Sequence, residues 1–225
     1  MSKRNLGSKI KLSSYDDMFG VNVAENENVN EENQIKDVAL SELHPFKNHP
    51  FKVIDDEKME EMVESVKQYG ILVPAIVRER AEGGYELISG HRRHHAAVLA
   101  GLEEMPVIVK KCDDDESTVI MVDANIQRED ISVSEKAKAY RMKYDAMKHQ
   151  GASGGISLAE MSESAGESRK TIQRLIYLSN LTEELLELID NKKIGIAQGV
   201  DLAFIPKEEQ DVVFRVMQKT GVFIN

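Results

Sequence analysis

Strand-like patterning stops at Ile131. From about Ile35 to that point, short alternating or β-branched runs are interspersed with helical stripes, and from Ser134 onwards only helical periodicity remains. A chain of 225 residues patterned this way predicts an α+β N-terminal domain followed by an all-α domain, each able to bury its own core. Residues 1–34 stand apart. They are rich in Asn, Glu and Ser ("VNVAENENVNEENQ") and too poor in apolar surface to offset the entropy of ordering, so they read as a polar arm with a basic start at Lys3, Arg4, Lys9 and Lys11. The expected boundaries are 1–34, 35–131 and 132–225.

In the first domain, "DDEKMEEMVESVKQYG" puts Met59, Met62, Val63 and Val66 on one helical stripe, with Asp55 or Asp56 to cap it and Gly70 to end it. "ILVPAIVRER" is a predicted strand that Pro74 pushes towards an edge or a strand start. A Gly83-Gly84 turn leads to the strand "YELI", and a helix follows at once and ends at Gly101. "MPVIVKK" is another strand, and "DDDESTVIMVDANIQRED" is a helix opened by acidic capping residues.

The second domain opens with "SEKAKAYRMKYDAMKHQ", capped by a serine, with Ala137, Tyr140, Tyr144 and Met147 near one face; "GASGG" reads as a loop. The segment "SLAEMSESAGESRKTIQRLIYL" has helix-turn-helix spacing. Ser157 is the expected cap of a short helix carrying Leu158 and Met161, and Gly166 makes the corner. Ser168 caps a second helix with Ile172, Leu175 and Ile176 inward. Arg169, Lys170, Thr171, Gln173 and Arg174 then face outward, where side chains reach bases and phosphates in a major groove; the alternative is a plain helical hairpin with a solvated basic face. Three further helices are expected in "TEELLELID", "AQGVDLAF" and "PKEEQDVVFRVMQKTG", the last with Pro206 at its first position and Gly221 at its end.

Charge layout supports the DNA-facing choice. The chain carries a net charge of −10, which opposes general nucleic-acid binding. Residues 41–131 hold 11 Lys+Arg against 19 Asp+Glu, whereas residues 132–180 hold 8 against 5. Exposed charges beyond about 8–10 Å are heavily screened, so the acidic half does not cancel the basic one. The single cysteine, Cys112, excludes a disulfide framework, and no apolar run approaches the roughly 20 residues needed to cross a bilayer. A cytoplasmic protein is expected.

Two arginines and three histidines crowd the helix start "GHRRHH" behind the Ser89-Gly90 turn. Free N–H groups, the helix dipole and a glycine that permits close approach make this an anion site, and Arg92 and Arg93 add guanidiniums suited to a polyphosphate. Three alternatives stand beside it: a metal held by His91 and His95 at i, i+4, structural pairing of the arginines with nearby carboxylates, and a nuclease using those histidines. In "ANIQRED", Asn125 offers an amide oxygen to a hydrated metal ion and Arg128 can reach a phosphate.

These segments together resemble the ParB family of chromosome and plasmid partition proteins, over roughly residues 35–215. Gly70, Pro74, Val77 and Arg78 are similar to its Gly-x-x-x-Pro-x-x-Val-Arg segment, "GHRRHHAA" to its Gly-Glu-Arg-Arg-x-Arg-Ala box and "ANIQRED" to its Glu-Asn-x-Gln-Arg box. The resemblance implies a sulfiredoxin-related N-terminal fold that binds CTP with Mg²⁺ and a helix-turn-helix for a palindromic centromere-like site. It further implies a homodimer that CTP closes into a sliding DNA clamp, association with the nucleoid, and a ParA-type ATPase engaged through residues 1–20. By position, Gly90, Arg92 and Arg93 become phosphate ligands, with His91 and His95 in the same box. Asn125 becomes a metal-side or phosphate-side residue, completed by Gln127 and Arg128. The family's dimerisation domain is expected beyond Asn225, or self-association through the remaining domains. Three departures stand out: His91 replaces a glutamate, His95 an arginine, and Ala124 the glutamate tied to Mg²⁺ and hydrolysis, so hydrolysis of CTP is left open.

Overall fold

The computed structural model describes residues 34–128, 130–151 and 154–224, with backbone alone at 154–157. The arm of residues 1–34, all but Gln34, and with it the stretch 1–20 expected to engage an ATPase, lies outside the described residues. Five strands form one sheet in the order β1-β5-β3-β4-β2. These are β1 (Ile35–Ala39), β2 (Leu43–His44), β3 (Ala75–Glu79), β4 (Tyr85–Ser89) and β5 (Glu104–Val109). β3 lies at the centre, parallel to β5 and antiparallel to β4. Pro74 immediately precedes it, so the proline marks a strand start in the middle of the sheet rather than an edge. The sequence does not mark β1, which buries only Val38, or β2, which has two residues.

Alternation sorts the sheet's two faces. Val38, Leu43, Ala75, Val77, Leu87, Met105 and Val107 form one buried cluster. Helix α1 (Glu57–Tyr69) packs on α2 (His91–Ala100) through Met59, Val63, Val66 and Ala96. Asp56 caps α1 by accepting from Met59 N at 2.9 Å. The other face of the sheet turns Ile76 and Ile88 towards α3 (Asp114–Ile126), which Asp113 and Glu116 open with a reciprocal capping box.

The helical part consists of α4 (Val133–His149), α5 (Gly154–Ala165), α6 (Arg169–Leu178), α7 (Glu183–Asp190), α8 (Ile196–Leu202) and α9 (Lys207–Thr220). Its core is continuous with α3: Met121, Val122 and Ile126 share one cluster with Tyr140, Met161, Ile172, Leu178 and Leu186. Three sequence expectations need correction. Helix α4 is capped by Ser132, which closes a capping box with Glu135, while the serine that opens the quoted segment, Ser134, lies inside the first turn and donates to Asp190. Helix α5 starts at Gly154, so Ser157 lies inside its first turn instead of capping it, and part of the "GASGG" loop is helical. Two adjacent glycines are weak helix formers and read locally as a break, but they extend a helix that Met161 anchors in the core. Helix α9 starts at Lys207, which leaves Pro206 one position earlier, as its cap.

Candidate functional site

Gly90 joins the end of β4 to the start of α2 with φ +105°, a left-handed conformation. It also sits against the first residue of the central strand: a Cβ at Gly90 would lie 2.9 Å from Ala75 Cβ. The sheet therefore delivers a helix N-terminus, with its unpaired N–H groups, to the rim of the molecule's central strand. A cleft of about 200 Å³ opens there. Ser89, Gly90, His91, Arg92 and Arg93 form one wall, Ala124, Asn125 and Arg128 a second, and His49, Val53 and Met62 a third. Two larger cavities lie at the far end of β3 and β4; the one of about 670 Å³ is lined by both signs of charge, with Arg78 already held by Glu86 and Asp114 at 2.6 Å each.

The two arginines differ in their attachments. Arg93 donates through Nη1 to the carbonyls of Val73 and Pro74, the latter at 2.8 Å, which fixes the turn that precedes β3. Arg92 is loosely held: its Nη2 reaches Asp56 Oδ1 at 3.4 Å, and its buried Nε has no hydrogen-bond partner. Both guanidiniums line the cleft, and the printed carboxylate contact of Arg92 is the long one to Asp56.

The histidines do not supply the charge that their number suggests. His91 accepts from Phe46 N at 3.2 Å through Nε2 and stacks on His49 with centroids 3.7 Å apart. Burial, then the neighbouring His49 and His94, lower its pKa to about 3, so the ring is neutral at physiological pH. His49 and His94 are likewise lowered, each chiefly by burial. His95 lies away from the cleft, with Nε2 2.7 Å from Asp55 Oδ1. Because the Nε2 atoms of His91 and His95 have separate partners, the two rings do not converge on a metal or a substrate. Among the described residues no group of three or more His, Cys, Asp or Glu is placed to hold a metal ion.

The second box is divided. Asn125 and Arg128 face the cleft, with Asn125 Nδ2 donating to Met121 O at 2.8 Å, which leaves its amide oxygen as the acceptor. Gln127 points elsewhere, donating to Ser164 O on α5 at 3.3 Å. Asp123 also faces away from the cleft and pairs with Lys143. Among the described residues no carboxylate lines the cleft in place of one at Ala124. Sequence spacing did not single out His49, Val53 or Met62, because a loop anchored by Phe46 and Phe51 brings the first two to the cleft.

The helix-turn-helix has the expected geometry. Gly166 turns the chain at φ +67°, Ser162 Oγ donates to Glu167 O at 2.7 Å, and Ser168 Oγ accepts from Thr171 N at 3.1 Å. Ile172, Leu175 and Ile176 are buried, while Arg169, Lys170, Thr171, Gln173 and Arg174 are exposed.

Two family models fit the chain in tandem: the ParB N-terminal domain over residues 24–126 and the ParB HTH domain over residues 129–223. The chain belongs to the ParB family. A probable chromosome-partitioning protein ParB of Vibrio cholerae is 30% identical over 80% of this chain and 59% of its own length. The chromosome-partitioning protein Spo0J of Thermus thermophilus is 30% identical over 77% of this chain and 61% of its own. The chain thus spans about three fifths of these ParB relatives. The fold is similar to the crystal structure of a C-terminally truncated Caulobacter crescentus ParB complexed to the centromeric parS site, with TM-score 0.52 and 22% identity over 83% of this chain and 93% of that one. Among the described residues no helix is long and apolar enough to cross a membrane.

Proposed function

We propose that this ParB-family chain is a partition protein that holds a specific duplex on α6 and whose grip is governed by CTP in the cleft at Gly90. The observation that carries the reading is the convergence of two separate segments, Ser89–Arg93 and Ala124–Arg128, on one cationic cleft. The residues fit a triphosphate. A buried guanidinium nitrogen without a partner on Arg92 and a helix N-terminus that the left-handed Gly90 brings to the cleft both favour an anion. Val53, Met62 and the neutral His49 ring suit a nucleobase, and the choice of cytosine rests on the family resemblance.

The cleft does not fit a metal held by the protein. Mg²⁺ prefers at least one carboxylate, and Asn125 offers a single amide oxygen, so Mg²⁺ would arrive as counter-ion of the phosphates. The DNA reading assigns Arg169, Lys170, Thr171, Gln173 and Arg174 to bases and phosphates, and Ser168 and Ser157 to the ends that approach the backbone. A palindromic site, a homodimeric clamp, a ParA-type ATPase on residues 1–20 and residence with the nucleoid complete the proposal.

Calorimetry of CTP, ATP and GTP, with and without a duplex selected by the protein from a random pool, tests it. CTP binding strengthened by the duplex and lost in Arg92→Ala is expected. No nucleotide binding even with the duplex present would overturn it. The absence of a carboxylate at Ala124 favours one rival, a nucleotide-independent DNA-binding repressor or partition adaptor. Duplex affinity indifferent to CTP would establish that rival.

A further inference from the structure

Lys143 is an unexpected residue for the interior of a helical domain. It lies midway along α4 with its side chain 5% exposed, and its ammonium has two partners on different helices. One is Asp123 Oδ1 on α3, at 2.5 Å; the other is Ser164 Oγ on α5, at 3.1 Å. An ion pair whose lysine is buried and whose carboxylate is half-exposed is weak evidence of a stability role, since apolar residues of similar volume commonly do as well.

The helices that carry its partners link the two sites. Asp123 immediately precedes Ala124 and Asn125, which line the cleft. Gln127, at the end of α3, donates to the carbonyl of the same Ser164. Ser164 stands two residues before Gly166, the corner that sets how α5 and α6 cross. Beyond the corner, Glu167 accepts from Lys136 at 3.0 Å, and Lys136 and Lys143 are seven residues apart, hence on one side of α4. The phosphate-facing end of α3 and the corner of the helix-turn-helix are therefore held by one polar cluster, with Lys143 at its centre.

We infer that Lys143 is the positioning residue that couples the nucleotide cleft to the DNA-facing helix. The inference rests on the proposed function and names its regulatory link. When an anion draws on Asn125 and Arg128, it acts on the last turn of α3, and Asp123 and Gln127 belong to that turn. Lys143 keeps its carboxylate only by following Asp123, and it carries Ser164 with it. Such coupling is reciprocal, so a duplex that reorients α6 acts back on the cleft through the same atoms.

The test measures a ratio of affinities. The dissociation constant of CTP is determined with and without the selected duplex, for the wild type and for Lys143→Met, Asp123→Asn and Lys143→Arg. The wild-type ratio is expected to be about 5-fold or more and to fall to within about 2-fold of unity in Lys143→Met and Asp123→Asn. CTP affinity without duplex should stay within about 3-fold of wild type in both, and Lys143→Arg, which keeps the charge, should retain the ratio. Methionine keeps nearly the volume of lysine, so a ratio lost in Lys143→Met and kept in Lys143→Arg follows the charge. If Lys143→Met does not fold, Asp123→Asn carries the test, because that carboxylate is 43% exposed. A wild-type ratio preserved in these two variants overturns the inference and leaves the proposed function standing. A wild-type ratio of one, or no CTP binding, is failure of the proposed function and removes the inference with it.

Discussion

His91 shows how a single residue's role is set by what surrounds it. In a solvated helix start an imidazole titrates near 6.5, but here one ring nitrogen is occupied by Phe46 N and burial holds the pKa at about 3. The unfolded chain therefore binds a proton between those two values that the folded chain refuses. Stability is complete above about pH 6.5 and declines as the pH falls towards 3, by up to about 1.4 kcal/mol per pH unit from this residue. Denaturant unfolding between pH 7.5 and 5 should show that decline, and His91→Gln, which keeps an acceptor but no titrating group, should make it shallower, the remainder belonging to His49 and His94. Gly90 is constrained in a different way. Alanine there meets both a left-handed φ of +105° and Ala75 Cβ at 2.9 Å, so Gly90→Ala should cost about 1–3 kcal/mol in stability and abolish CTP binding. A variant with wild-type melting behaviour and wild-type CTP affinity would contradict both halves of that expectation.

At the scale of elements, α6 is where capping, burial and surface chemistry agree. Ser168 caps it, Ile172, Leu175 and Ile176 seat it, and the exposed side carries Arg169, Lys170, Gln173 and Arg174. Arg169→Ala or Arg174→Ala should weaken binding to the selected duplex by about 1–3 kcal/mol if the side chain reads a base, in competition assays against scrambled duplex. An equal loss on both duplexes makes that residue a phosphate contact instead, with a shallower salt dependence. Helix α2 is the contrasting element. Its N-terminal end serves the cleft through Arg92, while the same turn spends Arg93 on the carbonyls of Val73 and Pro74. One arginine is thus suited to a ligand and its neighbour is built into the fold, although in sequence the pair looks uniform.

Across the whole molecule, α3 is the shared member. It covers the sheet face bearing Ile88, lines the cleft with Ala124 and Asn125, and joins the helical core through Met121 and Val122. Met121→Ala should therefore cost about 2–5 kcal/mol and lower the protection of sheet and helices together, as hydrogen exchange along β4 and α6 can measure. Loss of protection in one of them alone would show two independent units. Sequence alone carried the periodicities, and with them the α+β and helical halves, a cap at Asp55 or Asp56 and another at Ser168, the corner at Gly166 and the boxes around Gly90 and Asn125. These are local properties, decided by neighbours within a turn or two. Tertiary structure decided the rest: the neutrality of His91, the departure of His95 and Gln127 from the cleft, the arrival of His49 and Val53, and the burial of Lys143 between Asp123 and Ser164. Protonation, orientation and pairing depend on atoms brought from tens of residues away, and no spacing along the chain encodes which atoms those will be.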